Sequence, residues 1–272
     1  MKPTAKSLIL DLLMASEGHL MPARLLIDAC RLFNITENSV RVALVRLSTA
    51  GLVEAAARGT YRLGEGAVTL AREVANWRHA ESRVRDWSGA YVAVHTGAAN
   101  RSDRTAVRHR ARALQIMGFA ELERGLFVRP DNIDASVEAV RGRLRAVGLE
   151  PSIQVFLVSS LSAELESRAR RLWDGAALTA GYRRMHQQLD RWLERSPDLE
   201  ADVAARESFL LGKRAIRQIV FDPLLPAPFV DVSARAAFID ATCRFDTAGH
   251  RIWRRFFDFS SIDRPAPLVT TS

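Results

Sequence analysis

The 272-residue sequence predicts an α+β protein with an N-terminal winged helix-turn-helix, a central ferredoxin-like βαββαβ domain and a mainly helical C-terminal domain. Three observations carry that prediction. Apolar residues recur at three- and four-residue spacing through the first fifty positions and again beyond residue 162. A short hairpin pattern closes the first of these regions near Arg58-Gly59. Between residues 91 and 158, short apolar strands and two helices follow the order β-α-β-β-α-β. A chain of this length is expected to build two or three cores. The boundaries read as 1–66, 87–161 and 162–262, with a connecting helix at 67–86 and a tail at 263–272.

In the first region, Leu8, Ile9, Leu12 and Leu13 line one face of a helix over Ser7 to Met14. A second helix, from Pro22 to Phe33, carries Leu25, Leu26, Ala29 and Phe33, with Pro22 in the first turn, where a missing amide does no harm. The third helix opens at Thr36, whose hydroxyl suits an N-cap because the first backbone amides of a helix have no acceptor within it. Val40, Ala43, Leu44 and Leu47 form its apolar stripe, whereas Asn38, Ser39, Arg41, Val45 and Arg46 face away. Gly51 is expected to end it in the left-handed conformation, and Leu52 then starts a strand. A third helix so placed enters the major groove of duplex DNA. On that reading Arg41, Asn38 and Ser39 meet base edges, Thr36 and Arg46 position the backbone, and Arg58 lies in the wing. The competing reading is an ordinary amphipathic helix whose Arg41 or Arg46 pairs with Glu37 or Glu54 on the surface.

After the connecting helix, Tyr91 to Val94 reads as a strand and Asp103 to Met117 as a helix. Two strands at Ala120–Leu122 and Leu126–Val128, a helix at Ile133–Val147 and a strand at Ile153–Val158 follow. Arg101, Arg104, Arg108 and Arg112 make a ridge that reads as a solvated face in preference to a phosphate contact. Beyond Ser162 helices dominate, broken at Ser196-Pro197-Asp198 and across Asp222 to Pro228. There Tyr182, His186 and Trp192, with Lys213, Arg214 and Arg217, combine aromatic surfaces with cations suited to an aryl-CoA thioester or aromatic acid. The plainer reading makes the aromatics core and the cations solvent-facing.

The net charge of +8 favours a polyanionic partner. Residues 1–66 hold eight basic and six acidic side chains, so most of the surplus lies further on. Cys30 and Cys243 are too few and too far apart to suggest a disulfide framework or a zinc site, and each is expected to be a small apolar filler. No apolar run is long enough to cross a membrane, so a cytoplasmic protein is expected. No enzyme, cofactor or metal is expected either. Gly212-Lys213 is followed by Arg214 in place of the Ser or Thr of a phosphate-binding loop, and the six histidines are scattered. The alternative is a metal-dependent nuclease on the ferredoxin-like domain through Asp86 or Asp103, each a lone carboxylate.

Several segments in order resemble the phenylacetic-acid degradation repressors of the PaaX type. They are Ala5 to Leu13, Val40 to Leu47 with Gly51-Leu52, Trp87 to Tyr91, Met117 to Leu122, Gly125 to Pro130, and Asp222-Pro223-Leu224-Leu225-Pro226. The resemblance implies a GntR-like winged helix, a ferredoxin-like domain similar to that of a CRISPR-associated nuclease, and a helical C-terminal domain. It further implies a homodimeric repressor on double-stranded operator DNA, an inverted repeat by symmetry, released when an aryl-CoA effector binds. A Trp-Pro-Gly step usual in that family is replaced here by Phe229-Val230-Asp231-Val232-Ser233, so the identity of the effector does not carry over.

Overall fold

A computed structural model describes residues 3–16, 20–57, 59–68, 76–97, 103–134 and 136–262, the last four without their side chains. It is a mixed α+β structure with two small antiparallel sheets. The described residues gather into two compact units, one drawn from those up to 76 with 193–212 and 245–262, the other from those between 77 and 192 with 213–244. The stretch read as a single C-terminal domain is therefore divided between them.

The first unit opens with α1 (Ala5–Ala15), where the Thr4 hydroxyl accepts from the Ser7 amide and the Ser7 hydroxyl accepts from the Thr4 amide. Met21 and Pro22 form a short strand, β1, so Pro22 stands just before α2 (Ala23–Arg31) instead of inside its first turn. Two residues are too few to show a period, and pairing with a distant strand is what holds β1 extended. After α3 (Glu37–Thr49), the hairpin of β2 (Val53–Ala57) and β3 (Thr60–Leu63) completes an antiparallel sheet in the order β1-β3-β2. Leu8, Leu13, Leu26, Val40, Leu44 and Leu47 are buried between the helices. Phe209, Trp253 and Phe257, from far along the chain, pack against this same core, and the Phe209 ring meets Phe33 edge-on at 5.3 Å.

The second unit begins where a helix was expected. Residues 65–68 are helical, 69–75 lie outside the described ones, and the helix expected to run on to 86 is replaced by 3-10 turns at Asn76–His79 and Glu81–Arg83. Val84 then bridges to Ile133, and the Arg85 amide donates to the Asn132 carbonyl at 2.8 Å, which draws the backbone out of helical geometry. The same bridge delays the next helix. The sheet contains β4 (Tyr91–His95), α4 (Arg104–Ile116) as a crossover, β5 (Ala120–Glu123), β6 (Leu126–Pro130), α5 (Val137–Ala146) as a second crossover, and β7 (Gln154–Val158). Its order is β5-β6-β4-β7, antiparallel throughout, with Ala93 opposite both Val128 and Phe156. Helix α5 starts at Val137 and not Ile133, because Ile133 is held in the bridge and Asp134 has a φ of 60°.

Tyr91 and Ala93 pack with Leu122, Val128 and Ala169 of α6 (Ala163–Arg170), flanked by Trp87 and Trp173. Val92 and Val94 point to the opposite face and are also buried. With both faces covered, the strand reads as an unbroken apolar run. The helices α7 (Gly175–Arg195), α8 (Ala201–Val220) and α9 (Val232–Ile262) follow.

Candidate nucleic-acid interface

The ends of α3 are set by local bonding. Thr36 caps the start, its hydroxyl accepting from the Ser39 amide at 3.3 Å. At the other end the Leu52 amide donates to the Leu47 carbonyl and the Gly51 amide to the Ser48 carbonyl, each at 3.0 Å, with Gly51 at a φ of +66°. Between these ends Val40, Ala43, Leu44 and Leu47 are buried. A helix turns about 100° per residue, so Asn38, Val42, Val45 and Thr49 fall within a sector of about 60° directly opposite that stripe. Arg41 and Arg46 flank this sector on either side, about 70° from its middle.

Asn38, Ser39, Arg41 and Arg46 are all exposed, as the sequence suggests for a face free to meet a groove. Arg41, at 66% side-chain exposure, is nevertheless engaged: its Nε and Nη2 donate to Oε1 of Glu37 at 3.1 and 2.7 Å. Arg31 donates to Asp28 at 3.0 Å and to the same Glu37 at 3.4 Å. A polar cleft between α2 and α3 is thus lined by Arg24, Asp28, Arg31, Glu37 and Arg41. Glu54 pairs with Arg62 across the hairpin at 2.9 Å, and that partner holds its carboxyl below the usual range. Arg46 has no carboxylate partner among the described residues. Arg58, assigned to the wing, lies outside them.

Val42 had no role in the sequence reading and Val45 only a direction. Both are exposed on the middle of the outward face. The signal that finds them is their angular offset from Asn38.

The residues proposed for an effector separate into core and surface. Tyr182 and Trp192 are buried on the apolar stripe of α7, and Tyr182 stacks on Phe238 with ring centroids 6.1 Å apart, so neither offers a surface to a ligand. Among the described residues the Tyr182 hydroxyl has no hydrogen-bond partner; burial, and then the nearby Asp222 carboxylate, push its ionisation upward. His186 pairs with Asp190 at 2.9 Å, which also takes Arg244 at 3.0 Å. Lys213, Arg214 and Arg217 are exposed, and Arg217 lies over the Phe221 ring. On α4, Arg104, Arg108 and Arg112 are exposed, Arg110 is buried against Glu150 at 2.6 Å, and Arg101 lies outside the described residues.

Sequence reasoning missed a buried polar knot in the second unit. Arg129, 1% exposed, donates to the carbonyls of Met117, Pro130 and Pro223 and to Oδ1 of Asn132. Asn132 in turn donates to the Leu224 carbonyl at 2.7 Å. Burial pulls the Arg129 guanidinium down to about 9, against which the Asp134 carboxylate works. Gly118, at a φ of +73°, passes so close to Pro223 that a Cβ would stand 2.8 Å from its Cα. Arg235 joins Glu81 at 2.6 Å and the Leu225 carbonyl close by. Segments scattered along the sequence thus meet here for structural reasons. Cys30 is buried as expected, its thiol pushed up to about 12 by burial.

Among the described residues no three His, Cys, Asp or Glu side chains form a group able to hold a metal, and no helix is long and apolar enough to cross a membrane. A family model described as PaaX-like protein matches residues 4–67, and one described as PaaX-like protein C-terminal domain matches residues 173–255. No curated protein matches. Among solved structures, the chain is similar to the uncharacterized protein Rv0674 from Mycobacterium tuberculosis, with a TM-score of 0.63 and 23% identity over 95% of this chain and 99% of that one. At that identity the likeness is one of fold.

Proposed function

The chain belongs to the PaaX-like protein family, and from that premise we propose that it is a transcriptional repressor of an aromatic-compound catabolic pathway, acting in the cytoplasm as a homodimer on double-stranded operator DNA. In this reading the first unit works as a winged helix-turn-helix, with α3 in the major groove and the β2-β3 hairpin as the wing. One observation carries it: α3 is anchored by a continuous apolar stripe while Asn38, Ser39, Arg41 and Arg46 stand exposed on its other side. The element order α1-β1-α2-α3-β2-β3 supports the assignment. The strand order of the second sheet supports a ferredoxin-like reading, and we assign that part to dimerisation or relay. Two copies related by a twofold axis read an inverted repeat.

The effector is an aryl-CoA thioester or a related aromatic acid, and it acts by binding the DNA-free state more tightly, a coupling of about 1–3 kcal/mol. Since Tyr182 and Trp192 are buried, His186, Lys213, Arg214 and Arg217 remain the accessible candidates for its anionic parts. The test is a gel shift of the full-length protein on the promoter DNA adjoining its own gene. A salt-sensitive, sequence-selective shift reversed by phenylacetyl-CoA or another aryl-CoA is the expected result. Binding without sequence preference defeats the repressor reading, and cleavage of the duplex with divalent metal replaces it by a nuclease.

A further inference from the structure

The outward face of α3 carries two valines where polar side chains are the norm. Val45 is 67% exposed and Val42 42%, and Val45 is the most exposed large apolar side chain among the described residues. An exposed β-branched residue in a helix gains nothing from burial and loses side-chain freedom against the preceding turn. Nothing in the folding of α3 calls for valine here. They bound the sector opposite the core, each about 30° from its middle, with Asn38 and Thr49 between them and Arg41 and Arg46 beyond its two edges. Thr49, the other member of that sector, has its hydroxyl committed to the Val45 carbonyl at 3.0 Å.

Resting on the reading of α3 as the helix that enters the major groove, we propose that Val42 and Val45 are specificity determinants that read thymine through its 5-methyl group. In the major groove thymine alone presents a methyl, beside its single O4 acceptor, whereas guanine, adenine and cytosine present only hydrogen-bonding groups. A valine can neither donate nor accept. Set against guanine O6 and N7 or the cytosine amino group, it excludes water and leaves those groups unpaired; against a thymine methyl it buries apolar surface on both sides. Discrimination thus has a repulsive part as well as an attractive one. The operator is expected to hold thymines at the centre of each half-site, flanked by positions contacted by arginine.

The probe is a duplex that the full-length wild-type protein selects from a randomised pool. Each thymine in turn is replaced by deoxyuridine, which removes the methyl and keeps the pairing, and affinity is measured by gel shift. At one or two thymines per half-site the wild type should bind about fourfold more weakly, the equivalent of about 0.8 kcal/mol for one buried methyl. Val45→Ala or Val42→Ala should bind the thymine and uracil forms of that position equally, with circular dichroism reporting an unchanged fold, since both sites are exposed and alanine favours helix. A deoxyuridine penalty that survives in both variants and in the double substitution overturns the proposal, as does a wild type indifferent to every methyl. Selection of a duplex without methyl dependence removes this inference alone, whereas failure to select any duplex removes the reading of α3 with it.

Discussion

Glu37 holds both Arg31 and Arg41 in the DNA-free protein, so the surface pairing weighed against a groove contact is present. It does not oppose DNA binding. An exposed pair of this kind contributes about 0–1 kcal/mol, whereas a bidentate arginine on guanine discriminates by about 1–3 kcal/mol. Arg41→Ala should therefore weaken operator binding by about 5- to 150-fold while lowering stability by no more than the worth of that pair, about 0–1 kcal/mol; equal affinity would remove Arg41 from the interface. Glu37→Gln should act in the opposite direction. It frees Arg41, leaves Arg31 with Asp28 alone and removes a negative charge, so affinity at low salt should rise and the gain should shrink as salt increases, which a salt titration would read. Two glycines at positive φ separate backbone strain from crowding. A Cβ at Gly51 meets open space, and one at Gly118 meets the Pro223 backbone. Gly51→Ala should cost about 1–2 kcal/mol from its left-handed backbone alone, and Gly118→Ala clearly more, in thermal melts of the two variants.

Among the elements, the segment from Asp222 to Pro226 shows how a polar group can be buried yet structural. Asp222 accepts from the Leu224 amide at 2.8 Å, which stabilises the turn at Leu224, where φ is 50°. Burial raises the Asp222 ionisation above its ordinary value, and the Leu224 amide and the Arg235 guanidinium offset only part of that rise. The folded protein then takes up this proton at a higher pH than the unfolded chain does. Through this group alone, stability is greatest below the unfolded pKa and falls as pH rises through the folded one. Asp222→Asn keeps an acceptor for Leu224 and removes the charge. Its melting temperature relative to wild type should move in the variant's favour from pH 4 to pH 8, and a difference independent of pH would contradict the assignment. The cap of α3 was legible in the sequence because it joins residues three apart. The 3-10 turns at 76–83 were not, since Ile133 and Asn132, about fifty residues away, decide them.

On the scale of the molecule, the N-terminal region does not complete its own core. Phe209, Trp253 and Phe257 cover it, and Phe33 packs on Phe209. A fragment ending after Gly66 should therefore be less stable than the same region in the full chain and, on the proposed dimeric reading, a weaker DNA binder both for that reason and because it loses the linked second half-site. Phe209→Ala separates the two causes. It should lower stability by about 1–2 kcal/mol, as for a partly buried aromatic, in denaturant unfolding, while DNA affinity measured well below the midpoint stays near wild type. An unfolding curve identical to wild type would mean that the cover contributes nothing. The division of the C-terminal helices between two units had no mark in the sequence, because an apolar stripe states that a face is buried and not which partner buries it.

What the amino-acid sequence determined alone is what rests on neighbours a few positions apart. That includes the span and caps of α3, the left-handed Gly51 that ends it, the hairpin behind it, and the outward direction of Asn38, Ser39, Arg41 and Arg46. Tertiary structure decided everything that depends on distant partners. It brought Arg31 of α2 onto Glu37 of α3 in one polar cleft, put Tyr182 and Trp192 in the core, and brought the carbonyls of Met117 and Pro223 onto Arg129. The reason is the range of the forces: burial of one helix face repeats with the helix pitch and leaves a period in the sequence, and a cap joins residues three apart, whereas the partner that buries a face and the long-range pairing of polar groups leave no such mark.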